Sequence, residues 1–273
     1  MLGRLALGDH VCWTVDDEAS KLDIVATCVR DGLAGRERVL YLGDDPAGVL
    51  DAIEQRGVCT SAALAAGQLQ AVTAEASYLA AGHFDPDASF ELWTRAKRDA
   101  LAAGFRGVRA IGDMNWAARG IPGAERLPDY EVRINPLFTD GRLAGVCVYD
   151  RRRFEPMWLR RVAWAHPGAA GPDLPFDPDS SLRLRRTSEP YVLWVSGEAD
   201  LSNRAALAVV LDDLRAGLSV DREVTVDLTG LRFADLAAAR ILVDALAGGP
   251  GRVRLTGCSA PMNRLLTFHG VTV

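Results

Sequence analysis

This chain has very little lysine and no long uncharged run, and each of these features argues against a class of protein. Lys21 and Lys97 are the only lysines among 273 residues, and the net charge is −5. A nucleic-acid binder normally carries a basic face, so we do not expect one here. No stretch of about 20 residues is free of charge, and Arg4 interrupts the N-terminus, so neither a membrane span nor a signal peptide is expected.

Paired cysteines are also missing. The five cysteines are odd in number, scattered and without a C-x-x-C motif, and they stand at Cys12, Cys28, Cys59, Cys147 and Cys258. A disulfide framework is therefore not expected, and the reducing cytoplasm is the simplest compartment.

The chain is long enough for two domains. A stretch with four prolines, three acidic residues and no apolar periodicity runs from His166 to Ser181. Such a composition is typical of a semi-rigid linker. We predict a first domain over residues 1–166, a linker over residues 167–181 and a second domain over residues 182–273.

Strand-like and helix-like segments alternate in both parts of the chain. In the first part, strands are predicted at His10–Val15 and Arg38–Leu42, around a helix over Glu18–Leu33. In the second part, a strand over Tyr191–Val195 precedes a helix over Arg204–Ala216. This alternation predicts an α/β fold, with a mostly parallel sheet covered on both faces followed by a small α/β domain.

The first part contains six phrases in a fixed order. They are GDHVC (Gly8–Cys12), VLYLGDD (Val39–Asp45), YLAAGHFDPD (Tyr78–Asp87), GDMNWA (Gly112–Ala117), YEVRIN (Tyr130–Asn135) and CVYDRRRF (Cys147–Phe154). Together they resemble the MEDS domain (methanogen/methylotroph, DcmR sensory domain). The resemblance implies a sheet related to RecA/KaiC-type ATPases and a role in sensing small organic molecules, particularly simple hydrocarbon derivatives.

His10 and Cys12 are two residues apart on a predicted strand, so their side chains point to the same face. Cys147 lies on a later strand and could approach them. Three such groups could bind a metal ion or a metal-bearing cofactor. Buried cysteines, however, are usually apolar fillers, and a single histidine is usually hydrogen-bonded. We expect a pocket for a small organic ligand, with no metal and no cofactor, because ligands lie at strand ends in α/β sheets.

Asp113, Trp116 and Glu131 also lie in the family phrases and complete the candidate ligand-binding set. Asp113 directly follows a predicted strand, where carboxylates often meet ligands, but it could equally cap the turn at residues 115–119. Trp116 is of a type that more often fills a core than forms a platform for a ligand.

A phosphate-binding loop is absent from the first domain. The segment Val15–Asp23 stands where such a loop would lie, and Lys21 resembles the lysine of a Walker motif. The segment has no glycine, and its three acidic residues at 16–18 would repel phosphate. We therefore expect no enzyme. The alternative is a divergent RecA-like nucleotide hydrolase that uses Lys21 with Asp113 or Glu131.

The second part contains a motif whose usual serines are missing. Three phrases occur in order: VSGEADLSN (Val195–Asn203), LRFADLAAARILV (Leu231–Val243) and CSAPMNRLLTFHG (Cys258–Gly270). They resemble the STAS domain of bacterial anti-anti-sigma factors, in which the central phrase usually reads F-x-D-S-S-G-L and one serine accepts a phosphate. Phe233 and Asp235 remain, but positions 236–238 are leucine and two alanines, which carry no hydroxyl.

The STAS resemblance implies a surface that docks a partner protein, and its candidate residues are Asp200, Ser202, Asp235, Leu236 and Ala237. Without the hydroxyl, this surface is either a decayed site or a face locked in one binding state. The expected partner is an anti-sigma factor, a serine kinase-like protein or another protein of the sigma-factor network.

The sequence as a whole predicts a cytoplasmic signalling protein. A sensory domain would be coupled to an anti-anti-sigma-like module that acts by partner switching in sigma-factor regulation. Two alternatives stay open: the divergent nucleotide hydrolase, and an inert two-domain scaffold without a ligand pocket.

Overall fold

The computed structural model describes residues 5–188, 191–219, 222–246 and 251–271, which form two sheets with their helices. The first sheet is entirely parallel, with the strand order β3-β2-β4-β5-β1-β6. Its strands are β1 (His10–Val15), β2 (Arg38–Gly43), β3 (Leu69–Thr73), β4 (Val108–Asp113), β5 (Leu143–Asp150) and β6 (Gly168–Ala170).

Helices cover both faces of this sheet. They are α1 (Glu18–Ala34), α2 (Pro46–Glu54), α3 (Ser61–Ala65), α4 (Pro86–Ala102), α5 (Leu127–Arg133) and α6 (Pro156–Ala163), with 3-10 turns at Met114–Arg119, Ala124–Arg126 and Asn135–Phe138. One face packs on α4, α5 and α6 around Trp116 and Tyr149, and the other packs on α1 and α2 around Val29 and Ile53. Burial on two faces explains why all eight residues of β5 are buried.

The second sheet is smaller and mixed, with the order β10-β9-β8-β7. Its strands are β7 (Arg183–Ser188), β8 (Tyr191–Ala199), β9 (Glu223–Ala234) and β10 (Arg252–Thr256), and its helices are α7 (Arg204–Ala216), α8 (Leu236–Leu246) and α9 (Ala260–Phe268). Only β7 runs antiparallel to its neighbour. The predicted fold class, a mostly parallel α/β sheet followed by a small α/β domain, is confirmed. The sequence also predicts a helix over residues 236–247, which the structure has at Leu236–Leu246; residue 247 lies outside the described residues.

The segment predicted as a linker contributes to the first domain. Strand β6 pairs with β1, and Phe176 is buried with its ring 6.0 Å from that of Trp13. The backbone at 168–170 pairs with the backbone groups at the otherwise free edge of β1, and the Phe176 side chain covers this strand. The sequence of this segment has no apolar periodicity that would indicate either contact. Part of the predicted linker therefore packs against the first domain.

The two domains meet at the start of β1. Asp9 is buried, and its carboxylate accepts two hydrogen bonds of 2.9 Å from Arg183 and one of 3.2 Å from Arg185 on β7. Gly8 has a φ of +97°, and a side chain there would overlap the Arg185 guanidinium. Glycine is therefore required for this approach. In the part of the chain that the structure describes, we find no helix that could cross a bilayer.

Candidate functional site

Four side chains with metal-binding or acid–base chemistry meet inside the first domain. His10 lies on β1, Glu131 on α5, Cys147 on β5, and His166 follows α6; all four are buried. One donor atom from each lies within 4.8 Å of the others. We call this group the buried centre.

The register of β1 against β5 places two of these residues. Cys147 lies opposite Cys12, and His10 lies opposite Gly145. The His10 ring stacks on Phe138, with centroids 4.3 Å apart and planes at 11°. A β-carbon on Gly145 would come within 2.9 Å of Phe138 and 3.1 Å of His10. Glycine at this point therefore leaves the room in which the two rings pack.

The Glu131 carboxylate contacts the other three residues of the buried centre. Its Oε2 lies 3.4 Å from His10 Nε2 and 3.6 Å from His166 Nε2. Cys147 Sγ is 3.8 Å from the same Oε2 and 3.6 Å from His10 Nε2. The donor atoms therefore surround a single point rather than forming a chain.

An outer ring of hydrogen bonds orients these ligands. His10 Nδ1 lies 2.9 Å from Asn135 Oδ1, and His166 Nδ1 lies 2.8 Å from the Val162 carbonyl. The Asn135 amide nitrogen donates to backbone carbonyls at 131, 132 and 165, which fixes its oxygen toward His10. Both acceptors only accept, so both histidines carry their proton on Nδ1. The other carboxylate oxygen, Glu131 Oε1, accepts from the Tyr149 hydroxyl at 2.9 Å.

Burial dominates the protonation of the centre. Burial, with the nearby His10, lowers the pKa of His166 to about 3, so this imidazole is neutral at neutral pH. Burial and the Glu131 carboxylate raise the pKa of the Cys147 thiol well above its usual range. A neutral imidazole and a neutral thiol therefore face one carboxylate.

The space beside the centre is small. It amounts to about 10 Å³, measured as the volume open to the centre of a water-sized molecule, and its lining includes the aromatic residues Tyr78, Trp93, Tyr130 and Phe138. This is room for about one water molecule or one ion. Pockets for organic ligands are usually at least about 300 Å³.

Lys21 and Asp113 form a separate polar site at the carboxyl end of the sheet, on the α1 side. Lys21 Nζ lies 3.1 Å from Asp113 and 2.7 Å from Glu18, and the Tyr41 hydroxyl donates to Asp113 at 3.3 Å. The adjoining cleft measures about 270 Å³ and is also lined by Asp44. This is where a nucleotide would bind in a P-loop enzyme, but carboxylates already neutralise the lysine.

The structure brings three of the six sequence candidates together: His10, Glu131 and Cys147. Cys12 is buried next to Cys147 in the sheet, outside the group of four. Asp113 belongs to the separate site with Lys21.

Trp116, the sixth candidate, is fully buried and stacks on Tyr78 at 5.5 Å. Its place is thus in the core that surrounds the small cavity. Asp113 also accepts from the backbone N–H of Asn115, so it caps the 3-10 turn that the sequence analysis considered.

Sequence reasoning missed His166, Asn135 and Tyr149. The predicted boundary makes His166 the last residue before the linker, although it directly follows the apolar residues 162–165 at and after the end of α6. That apolar run is the only local signal that this histidine is buried. Nothing local to Asn135 or Tyr149 indicates their contacts with the centre.

The carboxyl ends of β8 and β9 form an exposed apolar surface in the second domain. Leu201, Phe233 and Leu236 are 46%, 51% and 47% exposed, and they flank Asp200 and Asp235. The Asp235 backbone N–H donates to the Ala199 carbonyl at 3.0 Å, which holds the two loops together. We call these five flanking residues the loop face.

The start of α8 is capped without a serine. Asp235 Oδ1 accepts from the backbone N–H of Ala238 at 2.7 Å. The Ala238 side chain is fully buried, whereas Leu236 is exposed and Ala237 is half-buried. Ser202, the remaining docking candidate, is exposed and donates to Asp200 at 2.6 Å.

Each of the two domains matches a known protein family. Residues 9–167 match the MEDS family (MEthanogen/methylotroph, DcmR Sensory domain), and residues 182–273 match the family described as Mlab, STAS domain. No match was found among curated proteins. This pair of domains is that of a sensory signalling protein with an anti-anti-sigma-like module. The chain belongs to the MEDS family of sensory domains and carries a STAS domain after it.

Proposed function

We propose that the MEDS domain controls how the loop face of the STAS domain binds an anti-sigma factor or serine kinase-like protein of the sigma-factor network. Partner exchange then follows the state of the buried centre, without phosphorylation at positions 236–238. We propose that the protein works in the cytoplasm and is not an enzyme. Its five cysteines, all among the described residues, are free thiols, which suits a reducing compartment.

The contact between Asp9 and Arg183 supports this coupling most strongly. Asp9 directly precedes His10 of the buried centre, and its carboxylate binds Arg183 through two hydrogen bonds of 2.9 Å. A displacement of the His10 backbone would therefore move a buried charge that holds the edge strand of the STAS sheet. Buried ion pairs of this kind are sensitive to small changes in geometry.

A second contact runs parallel to the first. Phe138 stacks on His10, and the next residue, Thr139, accepts a 2.7 Å hydrogen bond from the backbone N–H of Arg186. The buried centre thus contacts β7 by two independent routes. Two routes to one strand favour transmission as a shift of the whole strand.

The loop face supports the choice of partner surface. Three large apolar side chains are about half exposed there, and the adjacent Asp200 and Asp235 are half-buried, each accepting a local hydrogen bond through Oδ1. A contiguous exposed apolar patch rimmed by polar groups is typical of a protein-binding site. Position 237 lies at its margin, in the first turn of α8.

Replacing Ala237 with Asp tests this surface. A carboxylate in the first turn of α8 favours the helix dipole, so the domain should fold. In a protein contact the same charge is left unpaired, and binding should weaken by about 2–3 kcal/mol, or roughly 50-fold. The measurement is the affinity of the full chain for purified serine kinase-type anti-sigma factors from its own genome.

The matched control is Ala237→Asn, which has the same shape without the charge and should bind much more tightly than the Asp variant. If Ala237→Asp folds normally and binds the same partner with unchanged affinity, this surface does not dock it. The site would then be one that has decayed.

A further inference from the structure

Four electron-pair donors converge on one point in the buried centre. The neutral ring of His166 holds its proton on Nδ1 and directs the lone pair of Nε2 toward Glu131 Oε2, and His10 Nε2 lies 3.4 Å from the same oxygen. His166 Nε2 has no hydrogen-bond partner, although it is fully buried. Across residues 5–188, 191–219, 222–246 and 251–271, no Lys or Arg pairs with Glu131. A cation bound here would pair with the Glu131 carboxylate and would give the buried His166 Nε2 a partner.

The distances match a tetrahedral ion. With metal bonds of about 2.0 Å to nitrogen and oxygen and about 2.3 Å to sulfur, the edges of a tetrahedron are about 3.3 Å, or about 3.5 Å where sulfur takes part. The four measured separations among these atoms are 3.4, 3.6, 3.6 and 3.8 Å. The two remaining pairs both involve His166 and reach at most 4.8 Å. An inward movement of the His166 ring would bring these two distances toward tetrahedral values.

The donor set defines the class of ion. Two imidazoles, one thiolate and one carboxylate are ligands of borderline-soft divalent metals, and zinc accepts all three types. The thiolate and the carboxylate together cancel a double positive charge, so the loaded centre is neutral, as a buried site requires. We propose that His10, Glu131, Cys147 and His166 bind one divalent transition-metal ion, zinc foremost.

The surrounding contacts are those of a supported metal site. Metal-binding histidines usually donate their other N–H to a carbonyl or carboxylate, which fixes the ring. Here Asn135 and the Val162 carbonyl take that role for the two rings, and Tyr149 holds the free oxygen of the carboxylate. On binding, the Cys147 thiol releases its proton to solvent and the sulfur bonds the ion. The adjoining cavity of about 10 Å³, which His10, Glu131 and Cys147 line, is too small for an organic ligand.

The metal would be the group that the buried centre holds in the proposed function, and its binding can be tested apart from that function. Metal content is a property of the isolated chain, whereas partner control is measured with an anti-sigma factor. A protein that binds metal and ignores the partner would refute only the proposed function. A protein that binds the partner without metal would refute only the metal site.

The first experiment measures metal in the full chain. After purification without chelators, elemental analysis should find about one equivalent of zinc or a related divalent metal per chain. After removal of the metal with a chelator, Co²⁺ should bind at one equivalent. It should give the visible absorption of a tetrahedral ion and a near-ultraviolet sulfur-to-cobalt band.

Variants then assign the ligands. Cys147→Ser should remove the sulfur-to-cobalt band, and His166→Gln should weaken Co²⁺ binding at least 10-fold. Cys12→Ser is the matched control, because this buried cysteine lies opposite Cys147 in the sheet but outside the group of four. It should keep one equivalent of metal and the same spectrum.

Two results would overturn the proposal. One is a folded parent chain that neither contains nor takes up stoichiometric Zn²⁺ or Co²⁺. The other is a Cys147→Ser protein whose Co²⁺ spectrum retains the sulfur band, or a control whose spectrum loses it. Circular dichroism of each variant checks that loss of metal does not simply reflect loss of folding.

Discussion

Lys21 is the residue that decides whether the first domain could bind a nucleotide. Its ammonium group is held by Glu18 at 2.7 Å and Asp113 at 3.1 Å, and it lies mostly buried. A phosphate would have to displace these carboxylates and would then face them as like charges. Each such repulsion costs on the order of 1 kcal/mol or more near a surface. The site is therefore a closed ion pair.

Calorimetry with ATP and Mg²⁺ should accordingly show no binding to the full chain at physiological concentrations. Lys21→Ala and Lys97→Ala, which removes the other lysine, should behave alike. Micromolar ATP affinity that disappears only in Lys21→Ala would restore the hydrolase alternative.

Strand β7 is the element that connects the two domains. No strand was predicted at Arg183–Ser188, where three of the six residues are arginines. Two of these arginines bind the buried carboxylate of Asp9, and the backbone of a third binds Thr139. An edge strand that is covered in this way is protected from pairing with another chain.

Replacing Asp9 with Asn should loosen β7. The amide presents N–H groups to two guanidinium groups and leaves them partly unpaired, at a cost of about 2 kcal/mol in the free energy of local opening. Hydrogen exchange of the backbone amides at 183–188 should then be roughly 30-fold faster.

Asp23→Asn is the control for that measurement, because Asp23 is exposed and pairs only at the surface with Arg56. It should leave exchange in β7 unchanged. Equal exchange in both variants would mean that Asp9 does not hold the strand.

The whole molecule is two domains joined by a short exposed segment and by direct contact. Residues 172–175 are exposed between β6 and the buried Phe176, whereas α7 of the second domain packs on α5 and on the 135–138 turn of the first. Exposed chain is the preferred site of proteolysis, and the backbone here pairs locally, between Gly171 and Leu174. Contact between the domains does not depend on that segment alone.

A broad-specificity protease should therefore cut first within residues 168–180, and the two fragments should still elute together from gel filtration. They should separate only in denaturant. A first cut inside residues 8–150 would contradict the domain boundary, and fragments that separate in native buffer would contradict the contact through Asp9.

The sequence by itself determined the general architecture and part of the site. Alternating apolar segments and capping residues such as Asp85 before Pro86 are local features. They predict the parallel sheet and a helix over residues 86–103, which the structure has at Pro86–Ala102. The family phrases selected His10, Glu131 and Cys147. The missing hydroxyls at 236–238 could be read directly from the motif.

Only the tertiary structure decided which of these groups meet. His10 and Cys147 are 137 residues apart, and their contact depends on the register of β1 against β5. His166 joins them because the chain turns back after α6 to add β6 to the same sheet, a pairing of backbone groups that leaves no side-chain pattern. Sequence periodicity records which face of an element is buried, but the position along a neighbouring strand is fixed by packing of the whole domain. For that reason the sequence could not show that Asp113 and Lys21 form a site separate from the buried centre.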